Sequence, residues 1–281
     1  MWSIGICLGE SPFHLSAPQG ITNPILTRES VTDVPASFVA DPFMVRAGGC
    51  WYMFFEVLNR QTNKGEIGLA ISDNGLDWKY RQIVLSEPFH LSYPYVFKWN
   101  DEYYMVPETL QMEAVCLYKA VKFPTRWARI SQLVKAGYAD PSIFQFDDKW
   151  WMFACSTPYQ HDTLRLYFAD DLSGPWAEHP ASPIVAGNKH QARPGGRVLV
   201  LDDKIIRFAQ DCLPAYGTQV RAFEISELTI NSYVERESQH SPVLRASGQG
   251  WNGLGMHHLD AHQMSERQWI ACVDGYSESK E

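Results

Sequence analysis

The sequence predicts an all-β chain folded as a five-bladed β-propeller, its last blade closed by strands from the N-terminus. Three observations carry that prediction: an aromatic repeat of about fifty residues, a tight-turn signal ahead of each copy, and a proline motif in the strand before the turn. The clearest copies are Trp51-Tyr52-Met53-Phe54-Phe55-Glu56, Tyr103-Tyr104-Met105-Val106-Pro107-Glu108 and Trp150-Trp151-Met152-Phe153-Ala154-Cys155. Weaker ones begin at Ile205 and Trp269, so successive starts lie 52, 47, 55 and 64 residues apart.

Each element of a blade follows in order. The turns Ala47-Gly48-Gly49, Asn100-Asp101, Asp147-Asp148 and Asp202-Asp203 stand between paired apolar runs, the pattern of a β-hairpin. The strand before the turn carries Asp41-Pro42, Tyr93-Pro94, Asp140-Pro141 or Arg193-Pro194, and Met256-His257-His258-Leu259 takes that place in the fifth copy. A third strand follows each of the first four hairpins (Ile67–Ile71, Val115–Tyr118, Leu164–Phe168, Val220–Glu224), and then Trp78, Trp127, Trp176 or Tyr233 opens a fourth. The fifth copy stops after two strands. Ser3–Leu8 resembles a third strand and Asn23-Pro24-Ile25-Leu26 a fourth, so both ends of the chain would share one blade and leave no open edge. No apolar run keeps a 3.6-residue period, which excludes a helical fold. The expected organisation is a single propeller domain over residues 1–281.

Composition narrows the function classes. Of 281 residues, 45% are hydrophobic and 13% aromatic, enough for a sizeable core. The net charge of −8 argues against nucleic acid as partner. Six cysteines without a CxxC pair read as buried free thiols rather than a disulfide framework or zinc site. MWSIGICLGE lacks a basic n-region, and its apolar run is too short for a leader or a membrane span, so a soluble, cytoplasmic protein is expected.

In a propeller the head of each inner strand and the tail of its antiparallel partner meet at one mouth of the channel. That geometry gathers Asp41, Tyr93, Asp140, Arg193 and His257 or His258, with Glu56, Glu108, Cys155, Gln210 and Asp274 just outside them. Such groups are costly in a core without partners and cheap at a solvated funnel, so the Asp-Pro pairs are expected to aim their carboxylates into solvent. Asp41 and Asp140 would face each other. Carboxyls about 6.5–9.5 Å apart suit an inverting glycosidase; the alternative is that each Asp merely caps a turn.

The five-fold repeat, Ala40-Asp41-Pro42, Ala139-Asp140-Pro141-Ser142-Ile143-Phe144 and Leu172-Ser173-Gly174-Pro175-Trp176 resemble the propellers of glycoside hydrolase family 43 and its relatives. That resemblance implies Asp41 as general base and Asp140 as the residue tuning the acid. It implies a glutamate acid at the head of the fourth blade, where this chain has Arg193 in Gln191-Ala192-Arg193-Pro194-Gly195-Gly196. A guanidinium cannot donate a proton near neutral pH. Glu108 or Glu56 would then be the substitute acid, or hydrolysis is not the function. An arginine among carboxylates is also expected to depress their pKa values. A closer likeness covers nearly the whole chain. Glu10-Ser11-Pro12-Phe13, His90-Leu91-Ser92-Tyr93-Pro94, Arg207-Phe208-Ala209-Gln210-Asp211-Cys212 and Gly255-Met256-His257-His258 resemble the N-terminal propeller family of plant glucosamine inositolphosphorylceramide transferases and their bacterial homologues. There it accompanies a glycosyltransferase or formyltransferase-like domain, which implies a carbohydrate or glycoconjugate ligand and a glycosyltransferase partner.

Two functions follow as expectations: a glycoside hydrolase-like enzyme in the funnel, or a non-catalytic glycan-binding or accessory domain. Arg193, His257, His258, Tyr93, His90 and Arg197 are the candidate substrate-binding residues, with inter-blade packing and ion pairing as their alternative. No cofactor is expected beyond a structural calcium in the central channel, which the family resemblance allows near His257 or His258. Strand alternation puts His258, Asp260 and His262 on one face and His257 on the other. Trp78, Trp127 and Trp176 read as packing residues, and Trp251 in Ser247–Gly253 as a loop anchor or a sugar platform.

Overall fold

A computed structural model describes residues 1–201 and 204–278, and their strands form five antiparallel sheets arranged as the blades of a propeller. The first blade comprises Ala36–Ala47, Cys50–Asn59, Lys64–Ser72 and Lys79–Leu85; the second Ser92–Trp99, Glu102–Glu108, Val115–Lys122 and Arg126–Val134. The third has Ala139–Phe146, Lys149–Cys155, Leu164–Ala169 and Ala177–Glu178. The fourth has a broken inner strand, Arg193–Pro194 then Leu199–Leu201, followed by Lys204–Asp211, Gln219–Leu228 and Tyr233–Glu237. In the fifth, Leu259–Ser265 pairs with Gln268–Tyr276, which pairs on its other side with the N-terminal Trp2–Ser11, and that strand carries His14–Ser16 on its outer side.

The hairpin turns follow from their residues. Gly48 and Gly49, Asn100 and Asp101, and Asp147 and Asp148 all have positive φ, between 46° and 87°. Two successive left-handed residues make the turn whose twist matches that of the flanking strands, and Gly, Asn and Asp adopt it most readily. The predicted Asp202-Asp203 turn lies outside the described residues. The outer tryptophans anchor the next turn: Trp78, Trp127 and Trp176 donate their indole N–H to the carbonyls of Gly75, Pro124 and Leu172 at 2.8, 3.0 and 3.2 Å. All six cysteines are free thiols, and only Cys50 is not buried.

Closure by the N-terminus occurs as predicted for the third strand, with Trp2 to Gly9 in continuous register against Tyr276 to Trp269. The fourth position differs. The hairpin at Ser11–His14 supplies a short strand beside Leu8 and Gly9, while Leu26 reaches the sheet only through a bridge to Ile4. The outer edge is thus split between two segments, and Val185 likewise bridges Leu164 in the third blade.

The core lies between blades. Ile4, Ile6, Met44, Met53, Phe55 and Ile270 pack the closing blade against the first, and comparable apolar layers fill the other junctions. The inner strands meet on the axis at Arg197. Its guanidinium pairs with Asp260 of the fifth blade, donates to the carbonyls of Met44 at 3.2 Å and Val96 at 2.9 Å, and lies over the rings of Phe43 and Tyr95. Arg197 therefore ties four blades together below the mouth. It reaches this position because the fourth inner strand breaks at Gly196. Gly196 has φ +133°, and a Cβ there would sit 1.8 Å from the Leu259 carbonyl oxygen.

Truncating a wholly buried aliphatic residue loses its transfer free energy and leaves a cavity. Ile6→Ala, in the closing strand, is expected to lower the unfolding free energy by about 2–5 kcal/mol in a denaturant titration. A loss below about 0.5 kcal/mol would show that the N-terminal strand does not hold the ring shut.

Candidate functional site

At the heads of the first three inner strands the pairing register slips, between Ala40 and Phe43, Ser92 and Tyr95, and Ala139 and Ser142. The residue before each proline, Asp41, Tyr93 or Asp140, has φ +52°, +47° and +52°. Each Asp-Pro or Tyr-Pro is thus a β-bulge with a left-handed residue, and the bulge turns that side chain out of the sheet face toward the channel. Asp accepts this conformation more readily than Tyr. Tyr93 is held in it by deep contacts. Its amide N–H donates to Asp41 Oδ2 at 3.3 Å, its hydroxyl accepts from the Gly196 N–H at 2.7 Å, and Ser142 Oγ lies 2.8 Å away.

The mouth then divides into two charge clusters. In one, Arg193 Nε donates to Asp140 Oδ2 at 2.6 Å, and Gln210 Nε2 donates to the same oxygen at 2.8 Å. The Asp140 amide donates to Glu108 Oε2 at 3.2 Å, and Arg193 Nη2 stands 3.6 Å from that atom. Arg193 Nη1 donates to the Pro158 carbonyl at 2.9 Å and to His161 Nδ1 at 3.0 Å. In the other cluster Asp274 is the hub. It accepts the amide N–H groups of Asp41, His257 and His258, each at 3.1 Å, and His257 Nδ1 at 2.7 Å. His257 Nε2 faces Asp41 Oδ1 at 3.6 Å, and His258 Nδ1 lies 3.9 Å from it.

These groups are not solvated. Asp140 is 1%, Asp41 and Glu108 6%, and Arg193 9% exposed, which corrects the expected open funnel. A roof covers them. The Trp2 indole stacks on His257 with centroids 3.9 Å apart and 15° between planes. Tyr216 stands edge-on to His257 at 5.2 Å, with the Arg193 guanidinium 5.1 Å from its ring, and His161 packs beside it at 5.1 Å.

Sealing sets the electrostatics. Burial and then the Asp140 charge push Glu108 up to about 8, against the opposing pull of Arg193. Burial also raises Asp41 well above the usual carboxylate range, His257 opposing and Asp140, Glu56 and Asp274 adding to it. The expectation that Arg193 would depress these carboxyls therefore fails for both, because desolvation outweighs the guanidinium. Asp274 resists: burial pushes it up, but His257 and the hydrogen bonds hold it below the usual range. Burial works against protonated His257, yet Asp274 and Asp41 carry it to about 8. Burial takes His258 down to about 4, and neither of its ring nitrogens has a hydrogen-bond partner.

The other predicted residues lie apart from these clusters. His90 accepts the Gly65 N–H on Nδ1 at 2.9 Å and turns Nε2 to Glu56 Oε1 at 3.2 Å, forming a separate pair between the first two blades. Arg197 is on the axis, engaged as described above. Trp251 is wedged against strand backbone, since a Cβ on Gly5 or Gly275 would come within 2.5 Å of its ring. Asp41, His257 and Asp274 stand close enough to hold a metal ion. Asp274, however, is surrounded by N–H donors, and the His257 nitrogen facing it carries a proton. A calcium ion seeks six to eight oxygens, so these residues do not fit it. The sequence reading undervalued Gln210 and Asp274, visible only as blade-equivalent positions, and missed Trp2, His161 and Tyr216. Those three come from the closing strand and from loops, which no repeat marks.

The family described as "Glucosamine inositolphosphorylceramide transferase 1, N-terminal" matches residues 1–276. The chain belongs to this family. Glucosamine inositolphosphorylceramide transferase 1 of Oryza sativa subsp. japonica is 35% identical over 98% of the chain and 40% of the relative; that of Arabidopsis thaliana is 35% identical over 98% and 39%. The chain thus spans about 40% of the length of these relatives. The fold resembles a glycosyl hydrolase from Bacteroides ovatus (TM-score 0.64, 11% identity, 91% of this chain and 92% of that one). It also resembles a family 117 glycoside hydrolase of Zobellia galactanivorans (0.56, 14%, 84% of each) and an α-L-arabinanase mutant of Cellvibrio cellulosa (0.59, 16%, 84% and 86%). For this family member, those likenesses establish the propeller as a glycoside hydrolase-like fold.

The buried clusters make stability pH-dependent. His257 has its pKa raised on folding, so its contribution is full below about pH 6.5 and is lost as pH rises through about 8. Glu108 binds its proton more tightly when folded, which also penalises the native state as pH rises from about 4.5 to about 8. Unfolding free energy should therefore fall between pH 6.5 and 8.5, and Glu108→Gln should flatten that slope. A wild-type profile that rises over this window would contradict the arrangement.

Proposed function

We propose that this propeller is a glycan-recognising, non-catalytic module of a glycosyl-transfer system. One observation carries the reading: Arg193, standing where a hydrolase of this fold would need its acid, is locked to Asp140, the Pro158 carbonyl and His161 under the Trp2–Tyr216 roof. A guanidinium there donates no proton. The charges below it neutralise one another and serve to hold the roof. The roof offers an aromatic face of the kind that sugar rings stack on, with Tyr216 42% exposed. Relatives named glucosamine inositolphosphorylceramide transferase 1, of which this chain spans about 40%, support a role beside a transfer activity located elsewhere in such proteins.

A second reading keeps one specific support. Glu108, pushed to about 8, holds a proton at neutral pH and is a suitable general acid, with Asp41 as base once ionised. The two readings separate in one experiment on a glycan panel, scoring binding and bond cleavage together. The expected result is saturable binding without cleavage, weakened about 3- to 10-fold by Tyr216→Ala and unchanged by Glu108→Gln. Cleavage that disappears in both Glu108→Gln and Asp41→Asn would establish the hydrolase instead.

A further inference from the structure

The fourth and fifth blades leave a cleft of about 780 Å³ between their outer strands, lined by none of the mouth residues. That volume falls within the roughly 300–1,000 Å³ typical of small-molecule sites. One wall is the hairpin of the closing blade, carrying Phe13 and His14; the other is the segment after Tyr233–Glu237, carrying His240 and Arg245. His240 stacks on Phe13 at 5.2 Å and stands edge-on to His14 at 4.8 Å, so the two walls are clasped at one end. Trp251 lines the cleft as well, and its ring is held in place by Gly5 and Gly275. A fixed ring loses little conformational freedom when a ligand stacks on it.

Charge distinguishes this cleft from the rest of the surface. The protein carries a net −8, yet no Asp or Glu lines the cleft. Arg245 is exposed there, and among the described residues no carboxylate lies within ion-pair distance of it. The walls therefore combine aromatic rings, imidazole groups able to bond hydroxyls, and a guanidinium with no carboxylate partner among the described residues.

We propose that this cleft is a binding site for a monosaccharide bearing an anionic group, a phosphate or a carboxylate, with the anion on Arg245 and the sugar between Trp251 and the Phe13–His240 pair. The site is independent of the mouth. Calorimetric or ligand-observed NMR titration of the full chain with glucose 6-phosphate, glucuronate, glucose and inorganic phosphate tests it. At least one anionic sugar should bind saturably, about tenfold more tightly than glucose, and Arg245→Gln should weaken it about tenfold. His240→Ala should weaken it too, while Tyr216→Ala at the mouth leaves it unchanged. Which anionic sugar binds better identifies the group. Failure of both to bind, binding insensitive to Arg245→Gln and His240→Ala, or inorganic phosphate binding as well as the sugar phosphate would each overturn the assignment. Sensitivity to Tyr216→Ala alone would transfer the binding to the mouth.

Discussion

A left-handed residue before a proline, at the head of three inner strands, is the constraint on which the mouth depends. In a regular strand the side chains of Asp41, Tyr93 and Asp140 would alternate into the apolar layers between blades. The bulge adds a residue, turns each side chain inward along the axis, and leaves its amide N–H unpaired in the ladder. Those amides find carboxylates of neighbouring strands: Asp41 on Asp274, Tyr93 on Asp41, Asp140 on Glu108. The bulge thus supplies both the acids and the donors that fix them, and it does so across blade boundaries. Local backbone geometry and ring assembly are one feature.

Burying that many ionisable groups is tolerable only when their charges are matched. Asp140 with Arg193, Asp274 with His257, and Asp260 with Arg197 are three such pairs, each with further hydrogen bonds. Glu108 and Asp41 reach the cations of those pairs, Arg193 and His257, only at 3.6 Å, and desolvation raises the pKa of both carboxyls. The same physics that lets a hydrolase keep a protonated carboxyl at neutral pH therefore arises here as a by-product of sealing. A raised carboxyl pKa in this fold is weak support for acid catalysis unless substrate can reach the group.

The fold was legible because a propeller repeats its instructions: aromatic strand, two-residue turn and Pro-marked strand recur at nearly constant spacing, and period-two patterning does not depend on tertiary partners. The mouth residues were legible for the same reason, as equivalent positions in successive blades. What stayed hidden is what periodicity cannot encode. Solvation was misjudged because Trp2, His161 and Tyr216 arrive from segments outside the repeat, and only their packing removes water from the clusters. The outer edge of the closing blade is expected from Asn23–Leu26, and that segment does bridge Ile4, but the local hairpin at Ser11–His14 takes the adjoining edge.

Trp2 links these two levels. It belongs to the strand that closes the ring, pairing with Tyr276, and its ring also covers His257. Any fraying of Trp2–Ser11 from Gln268–Tyr276 would remove the roof from the His257–Asp274 pair and readmit water to it. Water weakens that ion pair and returns His257 and Asp41 toward their ordinary ionisation. Ring closure and the protonation of the mouth are therefore coupled through a single indole, and a ligand resting on the roof would bear on both.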